Sequence, residues 1–178
     1  PRFTSGAMRG RFNPRDGQLY ISGLRGWLTN AAQDGAFERV RYTGKPIHLP
    51  SELHVKPNGI AITFTSTMDR PTAEDIGFYS VKQWTYRWNA AYGSKHFFIK
   101  DPKKSINAPK GRQTVDGEPV VVKSARLAVD AKTIFLEIPD LAPAMQMMIR
   151  YNLKAADGTA MKQTIYNTIH VVPEGRGD

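Results

Sequence analysis

Cysteine is absent from the 178-residue chain. Disulfides, thiolate metal sites, thioether-linked haem and a cysteine nucleophile are therefore excluded, and stability has to come from packing. Long apolar runs are missing as well. The longest extend over only a few residues, against the roughly 20 that a helix needs to cross a bilayer, so no membrane span is expected. The first residues, Pro1-Arg2-Phe3-Thr4-Ser5-Gly6, hold no apolar stretch of signal-peptide length, so an export signal is expected to have been removed or to lie upstream. No segment carries an apolar stripe of 3.6-residue period over three turns or more, which leaves little room for helix.

Patterns of catalysis are equally thin. His48, His54, His96 and His170 show no HxH or HExxH spacing, and no GxSxG elbow surrounds a serine. The carboxylates Glu74, Asp75, Asp116, Glu118, Glu137 and Asp140 are scattered, with no spacing that sets two of them face to face for glycoside hydrolysis. The chain is expected to be non-catalytic and to need no cofactor or metal, with a small metalloenzyme built on the histidines as the lesser alternative.

What the chain does have is positive charge and strand pattern. Lys and Arg number 25 against 16 Asp and Glu, a net charge of +9. Such an excess favours polyanionic partners, namely nucleic acid, acidic glycans or an anionic protein, although a basic surface without a dedicated partner fits equally. Residues 1–45 hold eight Lys/Arg against three Asp/Glu and are the more basic part. Lys100-Asp101-Pro102-Lys103-Lys104, Lys110-Gly111-Arg112 and Lys123 add a possible basic patch, but no module for sequence-specific nucleic-acid recognition accompanies them. The terminal Arg176-Gly177-Asp178 resembles an integrin-binding tripeptide.

In the basic segment, Asn13-Pro14 and Asp16-Gly17 punctuate a short strand at 19–21, a hairpin with no evident later partner, and Phe37-Glu38-Arg39-Val40-Arg41-Tyr42 alternates as a half-buried strand does. Gly44, Pro46 and Pro50 then interrupt pairing and mark a domain boundary. Beyond it, Leu53 and Val55 run into Pro57-Asn58-Gly59, and Ile60, Ile62 and Phe64 run out of it, a strong hairpin signal. Further strands are expected at 79–88, 120–127, 133–138, 145–153 and 161–172, with a helical turn within 71–79 and a long connection at 100–118. About seven strands predict an all-β fold: a two-sheet, immunoglobulin- or fibronectin-like β-sandwich over 46–173, an N-terminal β-hairpin extension over 1–45, and a flexible tail over 174–178.

The most unusual stretch is Gln83-Trp84-Thr85-Tyr86-Arg87-Trp88-Asn89-Ala90-Ala91-Tyr92-Gly93-Ser94-Lys95-His96-Phe97-Phe98. On one continuous strand, Trp84, Tyr86 and Trp88 share a face because side chains alternate with period two. Three such rings make a platform that can stack on sugar rings or nucleobases, with Arg87, Asn89, Tyr92, Lys95 and His96 as further ligand-binding candidates. The same rings suit an inter-sheet core or a joint with the N-terminal segment, and both readings are open.

Two blocks carry a family resemblance. Residues 12–27, from Phe12-Asn13-Pro14-Arg15-Asp16-Gly17 to Leu24-Arg25-Gly26-Trp27, look like the end of the propeller region in large secreted proteins of planctomycetes and verrucomicrobia, which join a sugar-dehydrogenase-like β-propeller to c-type haem domains. Met145-Gln146-Met147 through Ile149-Arg150-Tyr151-Asn152-Leu153 to Ile165-Tyr166-Asn167-Thr168-Ile169-His170 resembles the end of the sandwich that follows the propeller there, and Trp84-Thr85-Tyr86-Arg87-Trp88 with Tyr92-Gly93-Ser94 is similar to that family too. The resemblance implies propeller-derived strands at 1–45, a sandwich after them, and a secreted or periplasmic bacterial protein. It leaves two functions: an accessory module that binds polysaccharide, acidic ones included, or a docking domain that orients propeller and haem domains of a multidomain redox parent.

Overall fold

The computed structural model describes residues 3–26, 30–90, 93–106 and 117–175. Trp27, Tyr92, Lys110, Arg112, Asp116 and the Arg176-Gly177-Asp178 tripeptide lie outside the described residues. The chain forms two compact units, Pro1–Pro46 and Ile47–Asp178.

In the first unit, β1 (Gly6–Phe12), β2 (Leu19–Leu24) and β3 (Gly35–Val40) make one antiparallel sheet in the order β1-β2-β3. Asn13 and Asp16 build the β1–β2 turn with their side chains, accepting from the backbone N–H groups of Arg15 and Gln18 at 3.0 Å each. The strand at 19–24 is not a lone hairpin arm, as the sequence suggested. It is the centre of the sheet, because Leu19 pairs with both Phe12 and Val40. Among the described residues of this unit no apolar side chain is buried.

The second unit is a two-sheet β-sandwich. Among the described residues, one sheet has the order β4 (Pro50–Lys56), β5 (Gly59–Phe64), β9 (Thr133–Glu137), β8 (Ser124–Leu127). The other has the order β11 (Ala160–Ile169), β10 (Ala144–Lys154), β6 (Tyr79–Trp84), β7 (Glu118–Val120). All their pairings are antiparallel. The inner faces meet in one core: Ile60, Ile62, Phe64, Ile134 and Leu136 from the first sheet, and Val81, Met147, Ile149, Tyr151 and Leu153 from the second. Each such side chain contributes about 1.5–3 kcal/mol when removed from water.

Local chemistry shapes the connections. Pro57 and Asn58 close the β4–β5 hairpin, since Lys56 pairs with Gly59. Gly59 is obligatory there by space, because a Cβ would lie 2.1 Å from the Leu136 carbonyl oxygen. Between β5 and β6 the chain makes α1 (Arg70–Glu74) and a 3₁₀ turn at Ile76–Phe78. Asp69 caps α1 by accepting from the Thr72 N–H at 3.1 Å, and Pro71 sits in its first turn, where a missing N–H costs nothing.

Two expected strands are corrected. The segment 120–127 is not one strand: β7 ends at Val120 in the second sheet, and β8 begins at Ser124 in the first. Val121, Val122 and Lys123 carry the chain from sheet to sheet, and Val122 packs against the core on the way. The strand expected at 79–88 stops at Trp84, because the ladder with β10 ends at the Trp84–Gln146 pair and that with β7 at Gln83–Glu118. The edge strand β7 is three residues long and contains Pro119, which discourages further strand addition.

Candidate functional site

The site grows out of the end of β6. On β10, Met147, Ile149 and Tyr151 point into the core, so Gln146 and Met148 face the other way. Register places Trp84 beside Gln146 and Lys82 beside Met148, on that same outer face. An outer face bearing Trp84 and Met148 would expose apolar area to water unless covered. The chain between β6 and β7 supplies the cover.

That excursion folds back through its own short ladder. Thr85 and Phe97 exchange two backbone hydrogen bonds, at 3.0 and 2.9 Å, and the Ile106 N–H donates to the His96 carbonyl at 2.8 Å. Glu118 accepts from the Ile99 N–H at 2.9 Å. The Lys100 ammonium meets Asp140 at 2.8 Å, which holds the Asp140 carboxyl below its ordinary range and the Lys100 amine above it. His96 is thereby laid on the Trp84 indole, with ring centroids 5.0 Å apart and planes at 26°. Gly117 closes the other side, where a Cβ would approach the indole Cε3 to 2.8 Å.

The three-ring platform is therefore corrected. Trp84 is 3 % exposed and cannot meet a ligand. Tyr86 is half-buried, and its hydroxyl donates to the Gln146 side-chain Oε1 at 3.1 Å. Only Trp88 is open, at 93 %. The physical reason is the early end of β6: beyond Trp84 the ladder with β10 is gone, so the period-two relation among the three rings is lost.

Trp88 lines a cleft of about 600 Å³ with Arg87, Asn89, Gly93, Ser94, Lys95 and Phe97. Of the residues singled out from sequence, Arg87, Trp88, Asn89 and Lys95 come together here, whereas Trp84, Tyr86 and His96 form the layer beneath or beside it. Gly93, Ser94 and Phe97 were missed, although they are contiguous with Lys95 in sequence. The Arg87 guanidinium lies over the Phe97 ring, 5.4 Å from its centroid, which braces one wall. The cleft offers one indole face, two cationic side chains, an amide and a hydroxyl, and among the described residues no carboxylate lines it. That combination can stack on a flat apolar surface and donate hydrogen bonds around it.

Comparison with known proteins finds nothing: no family model, no curated protein and no solved structure matches this chain.

Elsewhere the candidates disperse. His48 meets the Ser66 hydroxyl at 3.0 Å and Asp157 at 3.6 Å, and His54 meets Glu52 at 3.1 Å. Among the described residues no three His, Asp or Glu side chains gather closely enough to hold a metal ion. The expected basic patch is partly engaged: Lys100 pairs with Asp140, Lys123 with Glu137 at 2.9 Å, and Lys104 lies over Phe98. No helix among the described residues is long and apolar enough to cross a membrane.

Proposed function

We propose that the Ile47–Asp178 sandwich is a non-catalytic, carbohydrate-binding accessory module of a larger secreted bacterial protein. The observation that carries this reading is the single open indole of Trp88 on a cleft ringed by Arg87, Asn89, Ser94 and Lys95. A sugar presents an apolar ring face and a rim of hydroxyls, which matches one stacking surface bordered by donors. Arg87 and Lys95 favour a polymer that also carries carboxylates or sulfates. Strand order supports the immunoglobulin-like class: counted from β4, the sheets read A-B-E-D and G-F-C with one added edge strand.

Calorimetry against a panel of neutral and acidic polysaccharides tests the reading. Binding by the intact chain that is lost in Trp88→Ala and retained in a variant at the distant, exposed Val129 supports it. Absence of binding across the panel, or binding indifferent to Trp88→Ala, rejects it.

A second reading, a docking domain that orients propeller and haem domains of a parent protein, draws support from the first unit. Three strands with no buried apolar side chain, and with Met8, Phe12, Leu24 and Phe37 exposed, have no core of their own among the described residues. Such a sheet is expected to gain stability from further strands or layers. Greater protection of its amides from exchange when additional parent sequence is joined to it would favour this reading.

A further inference from the structure

The faces of the first unit's sheet differ in chemistry. On one, Leu19, Ile21, Ala36 and Val40 are half-buried and apolar around Glu38, whose carboxylate accepts from the Thr4 N–H and hydroxyl. On the other, the pairing register aligns Arg11, Tyr20 and Arg39 in one row across the three strands, and Arg9, Ser22 and Phe37 in the next. Arg9 and Arg11 are thus about 7 Å apart along β1. Phe37 stacks on Tyr20 with centroids 5.6 Å apart, yet is 74 % exposed. Between Arg11 and Phe37, over Tyr20 and Ser22, lies an open cleft of about 450 Å³, which Phe12 and Asn13 also line. All of these residues belong to one unit, and none belongs to the Trp88 cleft.

An arginine beside an open aromatic ring suits an anion carried near a ring with an apolar face, which both acidic sugars and single-stranded nucleic acids provide. Asp16, which borders the cleft through the Tyr20 hydroxyl without lining it, separates them. Its carboxylate accepts from the Tyr20 hydroxyl at 2.8 Å and from the Gln18 N–H at 3.0 Å, and those bonds, with Arg39 nearby, keep it ionised. A phosphodiester strand brings dense negative charge to that carboxylate and has few donors to offer it. A polyol with one carboxylate per ring offers hydroxyl donors to Asp16 and an anion to Arg11, which retains free N–H groups beyond the one bonded to the Gly10 carbonyl.

We infer that the Arg11–Tyr20–Phe37 face of the N-terminal sheet is a second glycan site, one that takes a uronic acid unit of an acidic polysaccharide. Phe37 and Tyr20 pack against the sugar ring, Arg11 pairs with its carboxylate, and Asn13 and Ser22 bond its hydroxyls. The site is independent of Trp88, so the two stand or fall separately.

Titration of the full chain with an oligogalacturonate, its uncharged methyl ester and an oligothymidylate, followed by amide NMR, tests it. The oligogalacturonate is expected to shift amides in β1, β2 and β3, and methyl esterification or Arg11→Gln each to weaken binding there about tenfold, the loss of one charge-assisted bond. Phe37→Ala weakens it similarly, Arg11→Lys less, and Trp88→Ala leaves those shifts intact. Arg11 and Phe37 are exposed, so the variants keep their fold, which circular dichroism verifies. Shifts absent from this sheet, binding unchanged in Arg11→Gln and Phe37→Ala, or tighter binding of the oligothymidylate each overturn the inference.

Discussion

The imidazole of His96 lies on the indole of Trp84, 5.0 Å between centroids, and this contact divides the aromatic stretch into a buried anchor and an exposed ring. Trp84→Ala is expected to cost about 3–5 kcal/mol in urea unfolding, as truncation of a buried large side chain does. Trp88→Ala is expected to stay within about 0.5 kcal/mol. Acrylamide quenching provides the optical counterpart: the fluorescence lost in Trp88→Phe is the readily quenched part, and that lost in Trp84→Phe the protected part. The opposite assignment would contradict the site described above.

Gly59→Ala tests the register of the β5–β9 pairing. The added Cβ meets the Leu136 carbonyl oxygen at 2.1 Å and the Phe135 ring at 2.6 Å, so the strands must separate. A loss of about 1–3 kcal/mol is expected, as for overpacking elsewhere. A melting temperature equal to that of the parent chain would show that the strands have room the structure does not give them.

Glu137 sets an acid limit on stability. It accepts from the Ser124 hydroxyl at 2.7 Å and from the Lys123 ammonium at 2.9 Å, with Arg126 at 3.5 Å, and these hold its carboxyl below the ordinary 4.5. A folded-state value below the unfolded one means that the unfolded chain binds the proton more tightly. The stabilisation is complete above the unfolded value and is lost as pH falls from there through the lowered folded one. Urea midpoints recorded across that acid range should fall less steeply for Glu137→Gln than for the parent chain.

Tyr151 sets an alkaline limit. Burial pushes its hydroxyl up to about 12, while the ring meets Phe64 edge-on at 5.5 Å and the hydroxyl donates to Gln163 at 3.2 Å. Here the folded value exceeds the unfolded 10.0, so the contribution is complete below 10.0 and is lost as pH rises towards 12. Tyr151→Phe should flatten the decline of stability over that interval, at a cost near 1 kcal/mol at neutral pH for the lost hydrogen bond. An unchanged alkaline decline would remove Tyr151 as its cause.

Legibility in the sequence followed the range of the interactions involved. The 53–64 hairpin was readable because Pro57-Asn58-Gly59 and the alternation on either side are local signals that agree. The long pair β10 and β11 was readable for the same reason around Asp157-Gly158. Two features were not. Val120 to Leu127 alternates plausibly throughout, and a period-two pattern states which residues share a face without stating which sheet they join. The rings at 84, 86 and 88 keep their spacing past the point where β10 stops pairing, and only the distant Gln146 marks that end. The Arg11, Tyr20 and Phe37 cluster was hidden because it is assembled across three strands, although each strand taken alone shows its alternation.

Pairing across the second sheet has a consequence for synthesis on the ribosome. Trp84 finds its ladder partner Gln146 about 60 residues downstream, an interval of roughly 3–12 s at ordinary elongation rates. His96, by contrast, emerges roughly 0.6–2.4 s after Trp84 at those rates. The nascent chain can therefore cap the Trp84 indole with a neighbour before the strand that completes the sheet exists, which limits the time that ring is open to other nascent chains.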